Sequence, residues 1–387
     1  MQTTSPLSAL RQWLETQALD GIIVPRTDAF QSEYCHPHDD VLAWLTGFDG
    51  SAGHALILRD RALLFVDGRY QVQAREQVDL AEIEILHLHN DPLADWLDRH
   101  VGAGSRIAFE ALLMTNAQYE ALNASHCELV ALKDSPFDSL WQDRPAPPVG
   151  AIREMPVEIS GESSADKRQR VAALLAERNA DYLAITQPDN IAWLLNVRGS
   201  DIPMSPVPNS FALLSRDGTV EWFVTPEKTQ GLSASLLESL TLAPEADFLP
   251  RSQQLCAGKR VMVDADSAPV ALRFAVEPQG EILWHADPIT AMKAHKNPTE
   301  LAGYRDSHQQ DGVAWVNFLA WLAHEVPRRE AAGNPLTELE AQAQQLVFRQ
   351  QRPGFIEQSF ATISASASNA AMCHYHSSEQ TNAAITR

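Results

Sequence analysis

The 387-residue sequence has few cysteines, a deficit of basic residues and no long apolar run. Its four cysteines are far apart, at positions 35, 127, 256 and 373, and no two form a CxxC pair. A secreted, disulfide-bonded scaffold has more cysteines at closer spacing, so the pattern favours a reduced intracellular protein. Residues 1–15 lack the basic and apolar regions of a signal peptide, and no stretch has the length of a membrane span. These absences predict a cytoplasmic protein without a membrane partner.

Acidic residues outnumber basic residues by 50 to 30, which gives a formal net charge of −20. A surface of this charge repels a phosphate backbone, so we expect no nucleic-acid partner. The charge favours solubility and does not identify a substrate. Apolar residues make up 45% of the chain, which is sufficient for the cores of two or three domains.

A proline-rich stretch separates the first domain from the second. Prolines at positions 136, 145, 147 and 148 remove backbone donors and fix φ, so neither a helix nor a central strand is expected there. Helix and strand patterns alternate on both sides of this stretch, which predicts an α/β protein with mixed sheets. The predicted segments are a first domain at 1–140, a linker at 141–155, a second domain at 156–292 and a third segment at 293–387.

The second domain repeats the order of elements predicted for the first. In each, a helix and a buried strand precede two strands that are joined by a short polar turn. A local match supports this repeat, because residues 43–51 read AWLTGFDGS and residues 192–200 read AWLLNVRGS. Coincidence among common residues is the alternative, and the shared order of elements favours duplication of one domain.

The third segment begins with helical signals. Asn297 followed by Pro298 predicts the start of a long amphipathic helix, and Thr337 with Glu340 predicts a capping box for a second helix. Residues 360–363 and 371–375 have the composition of short strands. Two helices and two short strands form an incomplete domain, so we expect exposed apolar faces.

Several stretches of the sequence resemble the cytosolic-type Xaa-Pro aminopeptidases P, a family of creatinase-type metallopeptidases. They occur in the order of that family and cover nearly the whole chain. The stretches are QSEY at 31–34, TGFDGSAG at 46–53, DGRY at 67–70, WQDRP at 141–145, IAWLLNVRGSD at 191–201 and NAAMCHY at 369–375. The resemblance implies two related creatinase N-terminal-like domains of the ribonuclease H-like type, followed by a catalytic domain with the pita-bread fold.

The same resemblance implies an activity and an assembly. Enzymes of this family remove the N-terminal residue from peptides that have proline at position two. They use two divalent metal ions, usually Mn²⁺, which activate water and polarise the scissile carbonyl. The resemblance also implies a homodimer.

Two candidate site residues follow from the resemblance. His374 matches a histidine on the proline side of the active site that hydrogen-bonds the reacting peptide, a role that suits imidazole near pH 7. Glu33 matches a glutamate of the first domain that approaches the amino group of the substrate, and a carboxylate there would pair with the ammonium. The residues alone leave open a structural histidine at 374 and a solvent-exposed loop acid at 33.

The metal ligands of the family have no counterpart in this sequence. The family uses two aspartates, one histidine and two glutamates, and the first of these lies in an Asp-Ser-Gly stretch just beyond the last residue of this chain. We therefore expect a C-terminally truncated chain, with only the start of a pita-bread domain, that holds no metal and hydrolyses no peptide by itself. A non-enzymatic protein that dimerises or binds partners through its N-terminal domains is the alternative.

Other histidines are weaker candidates for a metal site. The segment CHPHDD at 35–40 fits no familiar ligand spacing, and Asp39 is predicted to cap a helix at 41–45 instead. His374 and His376 would share one face of a strand, but no further ligand lies nearby in the sequence to complete a tetrahedral set. Arg69 in the DGRY stretch is predicted to be a turn or interface residue.

Overall fold

The computed structural model describes residues 5–386, so residues 1–4 and Arg387, at the outer limits of the predicted domains, lie outside the described residues. The chain divides into two compact units, Met1–His295 and Lys296–Arg387. Both contain α-helices, and the first contains two large mixed sheets, so the predicted mixed α/β class is confirmed.

The N-terminal part of the first unit is built on a six-stranded mixed sheet. Its strands are β1 (Gly21–Pro25), β2 (His54–Leu58), β3 (Ala62–Val66), β4 (Ile83–His87), β5 (Arg106–Glu110) and β6 (Glu128–Leu132). Its helices are α1 (Pro6–Thr16), α2 (Val41–Thr46), α3 (Gln71–Gln77), α4 (Leu93–His100), α5 (Asn116–Asn123) and α6 (Phe137–Leu140). The strand order is β4-β3-β2-β1-β5-β6. Ile22 and Val24 belong to the core on one face and Ile23 to the core on the other, as strand alternation requires.

The second sheet repeats the first. The strands of this part are β7 (Arg153–Glu154), β8 (Tyr182–Ile185), β9 (Val197–Arg198), β10 (Phe211–Ser215), β11 (Val220–Phe223), β12 (Thr241–Ala243), β13 (Arg260–Val263) and β14 (Glu281–Trp284). The helices are α7 (Val157–Ser160), α8 (Ser164–Glu177), α9 (Pro188–Leu195), α10 (Ala234–Glu238), α11 (Phe248–Leu255), α12 (Val270–Val276) and α13 (Pro288–Ala294), with 3-10 turns at Pro226–Thr229 and Glu245–Asp247. The order β12-β11-β10-β8-β13-β14 has the same parallel and antiparallel pairs as the first sheet. The predicted repeat is confirmed, and the short strands β7, β9 and β12 were not predicted.

Backbone hydrogen bonds join the two sheets of the first unit. The N–H of Asn116 donates to the carbonyl of Ala268 at 3.1 Å, and the N–H of Val270 donates to the carbonyl of Met114 at 2.8 Å. These bonds tie the start of α5 to the start of α12. The backbone N–H and C=O groups of the two sheet-containing parts are thus hydrogen-bonded to each other here, which helps to hold the parts together as one compact unit.

The proline-rich stretch contains a short helix that was not expected, because α6 begins directly after Pro136. The linker that follows packs along the first unit. Trp141 stacks on Trp44 of α2 with ring centroids 5.2 Å apart. Farther along, the N–H of Gly150 donates to Oδ1 of Asp201 at 2.9 Å. The side chain of Asp201 is buried and pairs with Lys228 at 2.9 Å. The linker therefore has fixed contacts at both ends.

The second unit contains two helices and a short two-stranded ladder. These elements are α14 (Pro298–Ala331), β15 (Leu336–Thr337), α15 (Glu338–Gln350) and β16 (Ala384–Ile385), with a 3-10 turn at Ala367–Ala371. Both predicted helix starts are confirmed, because Asn297 with Glu300 and Thr337 with Glu340 form capping boxes. None of the helices within residues 5–386 combines the length and the apolar character needed to cross a membrane.

The two strands predicted at 360–363 and 371–375 are wrong. Residues 361–366 have no regular secondary structure, and residues 367–371 form the 3-10 turn. Phe360 is 70% exposed and Ile363 is 51% exposed, so no sheet buries their apolar side chains. A strand needs a partner and a covered face, and β-propensity alone supplies neither.

Candidate functional site

The first candidate site is built on the loop at residues 26–40, between β1 and α2. Asp28, which is 1% exposed, fixes this loop because its Oδ1 accepts hydrogen bonds from the N–H groups of Phe30 (2.9 Å) and Ser32 (3.0 Å). Burial raises the pKa of the Asp28 carboxyl, while these hydrogen bonds oppose that rise. Gln31 has a φ of 59°, which is uncommon outside glycine. The loop is thus held in one sharply turned conformation, and Glu33 lies on its exposed side.

Three of the family-like stretches meet around Glu33. Glu33 belongs to the stretch at 31–34, Ser51 to the stretch at 46–53 and Tyr70 to the stretch at 67–70. The Ser51 hydroxyl donates to Oε1 of Glu33 at 3.4 Å and lies 2.7 Å from the Tyr70 hydroxyl. Because serine has a single hydroxyl hydrogen, Tyr70 donates to Ser51 when Ser51 donates to Glu33. The three residues then form a chain of hydrogen bonds that ends on an exposed carboxylate.

Close packing fixes Tyr70, which is the inner end of this hydrogen-bond chain. Tyr70 is 2% exposed, and its ring meets Phe48 edge-to-face with centroids 5.6 Å apart. A Cβ at Gly50 would lie 2.2 Å from the Phe48 ring and 2.8 Å from the Tyr70 ring. Glycine at position 50 is therefore required by the close approach of these rings.

Arg69, which precedes Tyr70 of this hydrogen-bond chain, binds Asp67. Arg69 donates to Asp67 through Nη2 (2.7 Å to Oδ2) and through Nε (3.1 Å to Oδ1). These side-chain hydrogen bonds lower the pKa of the Asp67 carboxyl. Arg69 thus closes its own turn, in agreement with the predicted turn role, and its bidentate partner is Asp67 rather than Glu33.

The CHPHDD segment has a structural role. Nδ1 of His38 lies 2.6 Å from the carbonyl oxygen of Pro145, and Nε of Arg144 donates to the carbonyl of His38 at 2.8 Å. The WQDRP stretch therefore binds this loop. Burial raises the pKa of the Cys35 thiol to about 12, so it is protonated at neutral pH and unsuited to act as a ligand or nucleophile.

Asp40, and not the predicted Asp39, occupies the N-cap of α2. Its side chain makes no capping hydrogen bond and pairs instead with Nη2 of Arg26 at 3.4 Å. The N–H of Asp39 donates to the carbonyl of His36 at 2.8 Å. This turn occupies Asp39, so the cap lies one residue later than predicted, while the helix itself begins at Val41 as expected.

The second candidate site surrounds His374, which belongs to the second unit, whereas Glu33 belongs to the first. His374 is half-buried and lies in a turn after the 3-10 turn Ala367–Ala371. Because this segment is not a strand, the expectation that His374 and His376 share one strand face is wrong. The neighbouring Tyr375 is 3% exposed, so the turn is anchored on the residue beside His374.

A buried carboxylate holds the segment that carries His374. Glu338, the first residue of α15, is 0% exposed. Its Oε1 accepts from the N–H of Ser366 (2.5 Å) and Nδ2 of Asn369 (3.2 Å). Its Oε2 accepts from the Tyr375 hydroxyl (2.8 Å) and the N–H of Ala383 (3.0 Å). Burial acts to raise the pKa of Glu338, but these hydrogen bonds together outweigh it and lower the pKa.

Sequence reasoning missed Glu338 because the residue resembles an ordinary acid in the first turn of a helix. The signal that could have found it lies in the NAAMCHY stretch. Asn369 and Tyr375 are both polar, and both donate to Glu338. A polar pair that flanks a histidine in an otherwise apolar stretch needs a buried partner.

A metal centre is not found in the part of the chain that the structure describes. Among residues 5–386, no three side chains of His, Cys, Asp or Glu come together in a way that could hold a metal ion. These described residues therefore do not fit the two-metal site that the resemblance implies.

Comparison with known proteins identifies the two sheets. Residues 6–137 and residues 143–300 each match a family model described as the creatinase/prolidase N-terminal domain. The crystal structure of an X-prolyl aminopeptidase from Caenorhabditis elegans, described as a cytosolic enzyme with a di-nuclear active site, superimposes with a TM-score of 0.90. The two chains are 27% identical, and the match covers 98% of this chain and 65% of the other.

Two curated relatives are similar along nearly the whole chain. A probable Xaa-Pro aminopeptidase P from Laccaria bicolor is 31% identical over 97% of this chain and 59% of its own length. The Xaa-Pro aminopeptidase ApepP from Drosophila melanogaster is 31% identical over 99% of this chain and 64% of its own length. This chain thus spans about three fifths of the length of these relatives. The chain belongs to the family of proteins with creatinase/prolidase N-terminal domains, of which it has two, and it is similar to Xaa-Pro aminopeptidases P along nearly its whole length.

Proposed function

We propose that this chain belongs to an Xaa-Pro aminopeptidase. Such an enzyme removes the N-terminal residue from peptides with proline at position two. The observation that carries this proposal is the likeness to the C. elegans X-prolyl aminopeptidase, at a TM-score of 0.90 over 98% of the chain. In this proposal residues 293–387 are the start of a pita-bread catalytic domain. The protein acts in the cytoplasm as a homodimer.

Two residues of this chain contact the peptide in the proposed reaction. His374 hydrogen-bonds the substrate near its proline, and its half-buried imidazole can donate or accept a proton there. Glu33 binds the free amino group, because an exposed carboxylate pairs with an ammonium ion. The Ser51 hydroxyl at 3.4 Å supports this role by orienting Oε1 of Glu33.

The family's two divalent ions, Mn²⁺ or a related metal, need ligands that this sequence does not match. We expect the complete enzyme to hold them and the 387-residue chain by itself to bind no metal pair and to hydrolyse no peptide. The test incubates the purified chain with Mn²⁺ and a peptide that begins Arg-Pro-Pro. Release of free arginine, or two tightly bound metal ions per chain by elemental analysis, would overturn this expectation.

The parent activity can be tested by joining these 387 residues to the remaining C-terminal part of the D. melanogaster relative. We expect the metal-loaded chimera to cleave Arg-Pro-Pro peptides and to spare the matched Arg-Ala-Pro peptide. His374→Gln should lower kcat by roughly 100-fold or more, the scale of a lost proton-transfer or hydrogen-bonding group. Glu33→Gln should raise KM about tenfold with a smaller change in kcat, because a charge-assisted hydrogen bond is lost.

The chimera experiment also has a clear contrary result. A folded, metal-loaded chimera that cleaves Arg-Ala-Pro and Arg-Pro-Pro peptides equally would contradict the proline specificity. Unchanged kinetics in His374→Gln would remove His374 from the site.

Exposed apolar residues on α14 favour a second candidate, a non-enzymatic protein that dimerises or binds a partner. Val316 is 66% exposed, Leu319 is 55% exposed and Tyr304 is 52% exposed. Apolar side chains on one helix mark a surface that associates with another molecule. Both candidates predict a dimer, so sedimentation of the purified chain is combined with the chimera assay. A stable, monodisperse dimer whose chimera has no activity would favour this second function.

A further inference from the structure

A buried carboxylate at the start of α15 organises a segment far from it in sequence. The four groups that donate to Glu338 lie 28 to 45 residues farther along the chain. They come from Ser366, Asn369, Tyr375 and Ala383, which lie on both sides of His374. One side chain therefore closes a loop of about 17 residues around the candidate catalytic histidine.

The network requires a carboxylate rather than a neutral side chain of the same shape. Both oxygens of Glu338 accept hydrogen bonds, and an ionised carboxylate is an acceptor only. A glutamine at this position would place an NH₂ group where one of the two oxygens now lies. That group would face either the donors of Ser366 and Asn369 or those of Tyr375 and Ala383. At a position that is 0% exposed, those donors would remain buried without an acceptor.

Tyr375 transmits this arrangement to His374. Its hydroxyl donates to Oε2 of Glu338 at 2.8 Å and also lies 2.9 Å from Oγ1 of Thr381 and 2.9 Å from Nδ2 of Asn369. The Tyr375 side chain is thus fixed inside the unit, while His374, the residue before it, stays half-buried. Fixing one residue of a turn fixes the backbone direction of its neighbour.

We propose that Glu338 is the positioning residue for His374, and that its buried charge sets the turn from which the imidazole reaches the substrate. This inference rests on the proposed function only for the role of His374. The positioning itself is a property of residues 338–383. Glu338 touches neither the substrate nor a reacting group and acts through Tyr375 and the backbone of the turn.

The test uses the full 387-residue chain labelled for NMR at its histidine rings and backbone amides. In the unmodified protein, we expect a single, dispersed His374 ring resonance and a strongly downfield amide proton at Ser366, because that N–H donates to a charged oxygen at 2.5 Å. Glu338→Gln should shift the Ser366 amide upfield and move the His374 resonance towards its random-coil position. Hydrogen exchange at Ser366 and Ala383 should become at least 100-fold faster.

Two further variants keep the test decisive. Tyr375→Phe retains the carboxylate of Glu338 and removes one of its donors. This variant should shift the His374 resonance and speed hydrogen exchange at Ser366 and Ala383 about tenfold. It provides the test if Glu338→Gln does not fold. Glu330→Gln removes the same charge from an exposed position on α14 and should change none of these signals. An unchanged His374 resonance in folded Glu338→Gln or in Tyr375→Phe would overturn the proposal.

The outcome also separates this inference from the proposed function. If the His374 resonance moves in these variants while His374→Gln leaves the kinetics of the chimera unchanged, Glu338 positions a histidine that has no role in hydrolysis. If His374→Gln abolishes activity but Glu338→Gln changes neither the resonance nor kcat, the proposed function stands and the positioning role fails.

Discussion

The two units of the molecule are organised by different interactions. In the first unit, each sheet is sandwiched by apolar side chains, and residues as large as Phe65 and Trp222 are completely buried. In the described part of the second unit, the apolar cluster of buried residues consists of Phe318, Leu336 and Ala341. The centre of its loop region is the carboxylate of Glu338. Apolar cores tolerate volume-conserving substitutions, whereas a buried polar network holds one arrangement only while every member is satisfied.

The same difference predicts opposite responses to acid. In the first unit, burial raises the pKa of Glu245 to about 7 and that of Asp287 to about 6. Carboxyls with raised folded-state pKa values contribute stability that is full below their unfolded values near 4 and is lost as the pH rises towards 6 or 7. Glu338 has a lowered pKa, so its contribution is present above about pH 4.5 and is lost as the pH falls.

We expect a large effect from breaking a deeply buried ion pair of the first unit. The side chains of Lys228 and Asp201 are 2% and 0% exposed. Lys228→Met leaves Asp201 buried without its cation, and we expect the first unit to lose about 3–5 kcal/mol of unfolding free energy. Urea unfolding followed by amide exchange in β8 and β13 measures this loss.

The matched control for this pair is Glu84→Gln, which breaks the surface pair with Arg61. There the side chains are 52% and 41% exposed, and the cost should be below about 1 kcal/mol. Equal losses in the two variants would mean that burial does not govern the strength of ion pairs in this unit.

Sequence patterns predicted the first unit well because its elements depend on local signals. Strand β3 (Ala62–Val66), for example, is one of the two strands that were predicted on either side of a short polar turn, because it is a short apolar run beside that turn. The second unit was predicted poorly after residue 350. Its order depends on Glu338, whose partners are up to 45 residues away, and no local pattern records such a contact.

The candidate sites divide in the same way. Glu33 and His374 could be singled out only by resemblance, because an isolated acid or histidine has no distinguishing pattern. The hydrogen bonds that link Tyr70 to Ser51 and Ser51 to Glu33 join stretches that are separate in sequence. Such convergence is a property of the fold, and only the structure reveals it.

A smaller effect should come from neutralising a single buried carboxyl. At pH 7.5, Asp287→Asn removes the cost of ionising a group that is 4% exposed. Oδ1 of Asn190 has no hydrogen-bond partner and can accept from the new amide if Asn190 turns over. We expect a gain on the order of 1–3 kcal/mol at pH 7.5 that shrinks as the pH approaches 4.

Thermal unfolding of this variant between pH 4 and pH 8 measures the effect, with the exposed Asp60→Asn as the control. A gain that is the same at pH 4.5 and pH 7.5 would show that the ionisation of Asp287 does not limit the stability of the first unit. A loss at both pH values would show that the hydrogen bonds of Asp287 matter more than its charge.

The smallest effect on stability is expected on the exposed face of α14, where the second unit has little apolar cover. Val316 is 66% exposed, so Val316→Ser should change the unfolding free energy by less than about 0.5 kcal/mol. Phe318, two residues away, is 9% exposed, and Phe318→Ala should lower the unfolding free energy by about 3–5 kcal/mol. Denaturation at several protein concentrations decides what covers this helix. If Val316→Ser costs more than about 1 kcal/mol, and the cost grows with protein concentration, another copy of the chain buries Val316 in solution, since only association makes stability depend on concentration.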